Sequence, residues 1–506
     1  LVVAAIGAAA VWFGTSNGVG VSIDSMSYVR GAENIARTNR YAVISDEGGL
    51  QNVDHWPPLY SISIAIPIFA GVSTMESVRS VNALSFFALL YLSALLVRRL
   101  SSGAAVVPVL AIICILAAPD IVRNHVMAWS ETLFIPLLLL GLLKMLDYFS
   151  SNRMRDLLFA SVCFGLAVIG RYSGAAFIVG GAASLILRDL KQPGRLRFVR
   201  PLAFCAVSGL PTALWFARNY FATSRAHDRS FDPRFLSVDH VRAAAEAVSR
   251  WLLPVWVPLR VRVVWVAVAL LIFVVALRGN HGRAAHEVAL DVSRNGEFWV
   301  LVGLCVVAYL GFVFVTILFF DYDVQFDVRM MTPVFALLVI FLATVGKSLF
   351  ARPVSRSGKL LAIAIVASVV LLASDTALHL YARHKDPAQY GSVRWTQARA
   401  WSVVRSAAAG TKIYSSSPYV SKYFVERPVS QFPERPEPGD EAAVASYREK
   451  LQAIADGVNG GDAYVLFAFY PRLDETDVVL DRDARSILRA TTVDSTDNVV
   501  LYRIAR

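Results

Sequence analysis

The sequence predicts a polytopic α-helical membrane protein of about eleven transmembrane helices, followed by a small α/β domain outside the membrane. Three observations predict it. The 506 residues are 56% hydrophobic and only 17% charged, with a mean hydropathy of +0.53, too apolar for an ordinary soluble protein. The apolar stretches run about 15–23 residues without alternating polar positions, the length of a helix crossing roughly 30 Å of hydrocarbon and not the pattern of barrel strands. The connections on one side are consistently basic.

In chain order, membrane helices are expected at 1–14, 78–97, 104–119, 129–148, 156–170, 173–187, 201–219, 262–278, 297–320, 331–346 and 359–379. With the N-terminus on the cytoplasmic side, the inner connections carry Arg98 and Arg99, Arg153 and Arg155, Arg188, Lys191 and Arg195, Arg294, and Arg352 and Lys359. Much of the net charge of +11 is therefore a topology signal, and a nucleic-acid partner is excluded as the main reading. The expected location is the plasma (inner) membrane, multi-pass, with residues 380–506 extracytoplasmic. The expected division is 1–379 as the membrane domain, including a long first outer loop over 15–77, and 380–506 as the external domain. Cys114, Cys163, Cys205 and Cys305 all fall in apolar runs and read as small buried hydrophobes.

The first outer loop is far longer than a turn between helices needs. Within it, Met26, Val29, Ala32 and Ile35 recur at helical spacing, which predicts a helix over 25–37 lying in the interface with Asp24 as its N-cap. Pro57 and Pro58 then start, without continuing, a second helical piece. In the tail, "TKIYSS", "DAYVLFAF" and "NVVLYRI" read as strands, while "SPYVSKYFVE" and "DEAAVASYREKLQAIADG" read as helices. The prolines of "ERPVSQFPERPEPGDE" mark a loop.

Ionisable groups at a membrane edge are costly and so are functional candidates. On this topology they gather on the outer side: Asp24, His55, Asp120, Arg123, His125, Glu131, Arg171, Arg218, Asp321, Asp323, Asp327 and Arg329. Chemistry there has no nucleotide-activated donor and needs one that the membrane delivers, such as a lipid phosphate. Arginines stay charged and grip phosphate oxygens in pairs of hydrogen bonds. Arg171, Arg218 and Arg329 each sit at an expected outer helix end, where snorkelling to headgroups is the plain alternative. Asp24 reads either as a solvated cap or as a general base for an acceptor hydroxyl. His55, beside Asp54, reads as a phosphate hydrogen-bond donor or as packing beside Trp56. Asp321 and Asp323 form an Asp-x-Asp pair that is either solvated or a ligand pair for a divalent metal.

Six segments, in order, resemble the GT-C class of polytopic glycosyltransferases, which includes dolichyl-phosphate-mannose protein mannosyltransferases and the bacterial aminoarabinose transferase acting on lipid A. They are "IDSMSYVRGAENI", "HWPPLYSISIAI", "PDIVRNHVMAWSETLFIPLLLLGL", "GLAVIGRYSGAAFIVG", "LWFARNYFATS" and "FDVRMMTPVFALL". The resemblance implies a polyprenyl-phosphate-linked sugar donor, a hexosyl or pentosyl transfer with inversion, and Asp24 as the base. It implies a second acidic residue, Asp120 in preference to Glu131, and donor-phosphate roles for Arg218 and Arg329. Ile23 and Ser25 flank Asp24, so the acidic pair that would hold a metal there is missing; no cofactor is required, and a divalent metal stays open through Asp321 and Asp323. The implied partners are the lipid-linked donor, the bilayer, and a glycan, glycolipid or protein acceptor. The alternative is a transporter or flippase of lipid-linked sugars; such proteins place substrate near the midplane and often show paired halves, neither of which this sequence displays.

Overall fold

The computed structural model describes all residues except 102–104, 191–195, 226–230, 279–282, 351–355, 437–439, 459–461, 469–479, 481, 497 and 505–506. Lys191, Arg195 and Arg352 of the basic connections lie outside the described residues, as does Phe469 at the end of one expected strand. The chain forms two compact units, one of Leu1–Asn17 and Asp54–Lys385, the other of Gly18–Val53 and Asp386–Arg506. Most of the long first loop therefore belongs with the tail, and the boundary expected at 379 falls at 385.

The first unit is helical and polytopic. Among the described residues, six helices are long and apolar enough to cross a membrane: Thr74–Leu100, Glu131–Ser151, Phe198–Thr223, Gly296–Phe319, Val328–Gly346 and Gly358–Lys385. The pair Val106–Ala117 and Pro119–Val126, bent by 65°, has the length and composition of one further broken span or of a re-entrant segment. The break has a covalent cause: Ala118 precedes Pro119 and is driven into extended backbone (ψ 111°), because the proline ring disfavours helical geometry one residue earlier. The remaining expected spans are also helical, but Met154–Gly170 has 17 residues and Ala175–Asp189 has 15, short of the roughly 20 that a perpendicular span needs. Leu59–Phe69, starting immediately after Pro58, is a further short apolar helix.

Tight packing of the unit relies on small residues. A Cβ on Gly180 would lie 2.6 Å from the Cα of Cys305, and one on Gly165 would lie 2.6 Å from the carbonyl oxygen of Ser208; these contacts set how close the helices approach. The outermost helices keep apolar side chains exposed, among them Leu202, Leu210, Leu214, Ile363, Val366 and Val370, the surface expected against lipid tails. Cys163 and Cys305 are buried, whereas Cys205 is exposed on the Leu196–Thr223 helix; its helical face points outward, so the reading of four buried cysteines is corrected there.

The second unit begins with the helix Ile23–Thr38. Its cap is Ser22, which exchanges hydrogen bonds reciprocally with Ser25. Asp24 thus sits in the first turn and is not the cap, a shift caused by the serine pair satisfying the helix end first. Asn39, at φ 55°, closes the helix. A hairpin follows, with β1 (Ala42–Ile44) antiparallel to β2 (Leu50–Asn52). The tail adds β3 (Lys412–Ser415), β4 (Ser430–Gln431), β5 (Ala463–Ala468), β6 (Ala490–Ser495) and β7 (Val499–Ile504). They form one mixed sheet in the order β4-β3-β5-β7-β6, parallel at β4/β3/β5 and antiparallel at β5/β7/β6.

Trp395, Trp401 and Phe424 stack in parallel within a core completed by Ile413, Leu466 and Leu501 from this sheet. The loop helix joins the same core through Val21 and Met26. Backbone bonds join them as well, from Val21 to the Ala388 carbonyl and from Tyr390 to the Val21 carbonyl. These bonds and shared burial explain why a segment separated from the tail by more than 300 residues of sequence folds with it.

Candidate active site

Within the helical unit, the polar centre is built on the turn before the Glu131–Ser151 helix. Asn82 donates its side-chain amide to the carbonyls of His125 (3.0 Å) and Met127 (2.8 Å), and the Tyr60 hydroxyl donates to Asn82 Oδ1 at 2.8 Å. The turn is fixed on a buried amide, and it delivers Glu131 into the first helical turn with 1% exposure. A carboxylate is favoured there by the helix dipole, yet a buried one also needs cations.

Two arginines supply them. Arg171 occupies the extended residue between the Met154–Gly170 helix and the short turn Tyr172–Gly174, and its Nη1 lies 2.5 Å from Glu131 Oε1. Arg329, at the start of the Val328–Phe350 helix, forks onto the same carboxylate through Nε and through Nη2, the latter at 3.1 Å from Oε2. Its guanidinium also lies over the Trp129 ring, 4.3 Å from the centroid. Asp327 caps that helix by accepting from the Met330 backbone at 2.8 Å, and Tyr309 donates to the Met330 carbonyl at 2.8 Å. The cluster holds two cations against one anion, each arginine side chain only 13–16% exposed. The Asp327 carboxylate, capping the same helix two residues before Arg329, brings the formal charge of the site to zero, so attraction for an anion rests on the orientation of the two guanidinium groups and not on net charge.

Arg218 and His55 occupy a neighbouring wall. Arg218 bonds Asn219 at 3.1 Å and lies over the Trp215 ring at 5.2 Å. Asn219, fully buried, donates to the Asp54 carbonyl at 3.4 Å and so ties down the segment carrying His55, whose ring meets Trp56 edge-on at 4.3 Å. Trp215 donates to the Tyr172 hydroxyl at 2.9 Å, which links this wall to the residue following Arg171.

Asp120 goes elsewhere. It pairs with Arg250 at 2.5 Å, both side chains largely buried, in a small cleft shared with Trp251, Val328 and Thr332. Of the two acids weighed as the second acidic residue, Glu131 and not Asp120 meets the arginines. Asp321 and Asp323 lie in the turn after Gly296–Phe319; Asp323 is exposed, and the Asp321 backbone bonds back to Thr316 at 2.8 Å. Among the described residues, no group of three or more His, Cys, Asp or Glu side chains gathers as a metal site.

Asp24 belongs to the second unit, half-buried on the loop helix. Its neighbour there is Tyr419, whose hydroxyl bonds Ser27. Burial, reinforced by the Asp24 charge and opposed by the bond to Ser27, pushes the Tyr419 phenol up to about 12. Sequence reasoning missed Arg250, and it missed Asp375, His379 and Arg383, of which Asp375 and His379 lie within range of the Arg250 charge and His379 also of Arg383. The signal for the last three was present: polar residues four apart inside an otherwise apolar run place all three on one helix face.

No protein-family model matches the sequence, and no curated protein does. Solved structures do match it, and the chain has the fold of the GT-C glycosyltransferases. It superposes on ArnT from Cupriavidus metallidurans bound to undecaprenyl phosphate with a TM-score of 0.60 at 14% identity, over 100% of this chain and 98% of that one. The archaeal oligosaccharyltransferase AglB from Archaeoglobus fulgidus, in complex with an inhibitory peptide and a dolichol-phosphate, gives 0.51 at 12% identity over 92% of this chain and 69% of that one. Arabinofuranosyltransferase AftD from Mycobacteria gives 0.55 at 13% identity, over all of this chain but 40% of that one.

Proposed function

We propose that this protein is a membrane glycosyltransferase that moves a sugar from a polyprenyl-phosphate donor to an acceptor hydroxyl at the extracytoplasmic face. The observation that carries the reading is the convergence of Arg171 and Arg329 on one buried carboxylate, in a fold shared with structures solved with undecaprenyl phosphate and with dolichol-phosphate. Two guanidinium groups held by one glutamate keep their planes fixed, and a guanidinium is the side chain that grips phosphate oxygens in pairs of hydrogen bonds, which a phosphate diester supplies.

The chemistry is a single displacement. A carboxylate oxygen of Asp24 takes the proton of the acceptor hydroxyl, the freed oxygen bonds to the anomeric carbon, and the bond from that carbon to the phosphate oxygen breaks with inversion. Phosphate leaves carrying the electron pair, and Arg171, Arg329 and Arg218 stabilise the charge that develops on it. Because phosphate is already a good leaving group, no second carboxylate is needed as acid, in contrast to a glycosidase. Glu131 acts as the positioning residue for the two arginines.

The test is incubation of the purified protein in lipid with radiolabelled polyprenyl-phosphate hexoses and pentoses and a crude envelope acceptor. The reading expects label to pass from one donor to the acceptor, with an anomeric configuration opposite to that of the donor. A product that retains configuration overturns the single displacement.

A further inference from the structure

The last apolar helix, Gly358–Lys385, carries Asp375, His379 and Arg383 along one face, on successive turns about 6 Å apart at 1.5 Å per residue. Ionisable groups in such a helix are costly unless they meet partners. Thr376 holds this side of the helix against the break before Pro119, its hydroxyl donating to the Ala117 carbonyl at 2.7 Å. Two further elements bring charge to the same place. The helix Pro119–Val126 supplies Asp120 and Arg123, three residues apart and so on one face, and Arg250 ends the helix Val238–Ser249. Arg250 pairs with Asp120 and lies within range of Asp375. Arg123, Arg250 and Arg383 all lie within range of His379. With the imidazole counted as neutral, three arginines against two aspartates leave a surplus of positive charge, and Arg383 carries it towards the helix end.

We propose that the Arg383 end of this cluster binds the phosphate of an anionic membrane lipid, as a headgroup site apart from the arginine pair at Glu131. Two buried nitrogens there have no hydrogen-bond partner, Arg383 Nε and His379 Nε2. The first is an obligatory donor. The helix dipole accounts for a cation in the last turn, but not for a buried donor left open, which costs free energy until an acceptor arrives. The aspartates of the cluster do not close it, because both lie towards Arg250, and Asp375 is two turns from Arg383. A phosphate diester has the oxygens to accept from a guanidinium and an imidazole together. The depth selects a lipid as its source. Arg383 is two residues from the end of the helix, the level at which arginines reach headgroups. The surfaces beside it are open to lipid tails, through Val366, Val370 and Leu378 on this helix and Val264 and Leu271 on Leu259–Arg278. Trp265 of the latter donates to Ser368 at 3.3 Å and joins the two helices. The proposal does not depend on the transferase reading.

The experiment is a titration of full-length protein, purified in detergent and stripped of lipid, with bound species counted by native mass spectrometry. The probes are phosphatidylglycerol, phosphatidylcholine, whose choline brings a cation against the arginines, and inorganic phosphate. The proposal expects the first phosphatidylglycerol to bind at least about tenfold tighter than phosphatidylcholine, the weight of a charge-assisted hydrogen bond, with inorganic phosphate weaker than either. It expects a loss of about tenfold or more in His379→Phe and in Arg383→Gln, the latter a change that removes an unpartnered donor and so spares the fold. Affinity stays within about twofold in Lys385→Gln, which takes a charge from the exposed end of the same helix, and in Arg329→Ala, which disables the pair at Glu131. Equal affinity for the two lipids, or unchanged affinity in both cluster variants, would overturn the proposal. So would a comparable loss in Lys385→Gln, which means surface charge alone, a comparable loss in Arg329→Ala, which places the lipid at Glu131, or inorganic phosphate bound as tightly as the lipid.

Discussion

Replacing Glu131 by Gln keeps the side-chain volume and removes the one charge that Arg171 and Arg329 share. Breaking a buried ion pair by removing one partner costs about 3–5 kcal/mol, because the remaining charge stays desolvated. Glu131 is 1% exposed and faces two guanidinium groups, so the variant belongs at the upper end of that range, read as a fall of several degrees in the thermal midpoint. The fall should be selectively repaired by anion. A ligand at 100 times its Kd adds about 2.7 kcal/mol to a state it binds; a lipid phosphate that takes the place of the missing carboxylate adds more to the variant than to the wild type at the same concentration. The assay is differential scanning fluorimetry in detergent with and without undecaprenyl phosphate. A variant as stable as wild type, or a lipid-phosphate shift no larger in the variant, refutes the placement of the phosphate on this pair.

Arg329→Ala should weaken binding of a polyprenyl phosphate by tenfold or more, measured by scintillation proximity with labelled lipid; unchanged affinity removes Arg329 from the headgroup site. Asp120→Asn and Arg250→Gln should each destabilise the helical unit, and their double-mutant cycle should show coupling of about 0.5–3 kcal/mol, whereas additive losses would show that the 2.5 Å pair has no energetic weight. The second unit should lose stability as pH rises from about 10 to 12. The phenols of Tyr419 and Tyr423 are both pushed up to about 12, mainly by burial, against about 10 when unfolded. Between those values the unfolded state releases protons that the folded state keeps, so unfolding is favoured with rising pH. Tyr419→Phe should flatten that dependence in pH-jump circular dichroism, and an unaltered slope would count against the burial assigned to the phenol.

The helices were legible because long apolar runs and proline placement leave few alternatives. Pro58 marked a helix start that the structure reproduces, whereas the helix Pro119–Val126 begins where the expected span 104–119 was placed to end. The number of crossings was less legible, since the 15-residue helix Ala175–Asp189 has the composition of a span without the length. In the tail, the strands β3, β5 and β7 had alternating or continuously apolar patterns. β6, with the sequence Ala-Thr-Thr-Val-Asp-Ser, is a largely exposed edge strand and has no apolar face to announce it. β4, two residues long inside a proline-rich stretch, is defined only by its partner β3.

The candidate site was legible residue by residue but not as a geometry. Arg171, Arg329 and Glu131 were each visible at outer helix ends, yet nothing in their spacing says that one carboxylate holds both arginines. That depends on Asn82 and Tyr60 fixing the turn at 127–130, a buried bond between residues 22 positions apart. The preference for Asp120 rested on loop position alone and could not anticipate Arg250, which approaches from 130 residues further along the chain. The association of 18–53 with the tail was likewise invisible, because it rests on backbone bonds at Val21, on the burial of Val21 and Met26 in the tail core and on pairs such as Arg30–Glu426, none of which local spacing reveals.

The central claim is that Asp24 removes the acceptor proton in a transfer from a lipid-phosphate sugar. It is tested most directly by comparing wild type and Asp24→Asn in one assay of label transfer from the cognate radiolabelled polyprenyl-phosphate sugar, with binding of the lipid phosphate measured in parallel. The account predicts that transfer falls by at least a hundredfold, in line with the loss of a general base, while lipid-phosphate binding stays within about twofold. Transfer at the wild-type rate in the variant, or passage of the intact donor across vesicle membranes with no transfer in either protein, would contradict it.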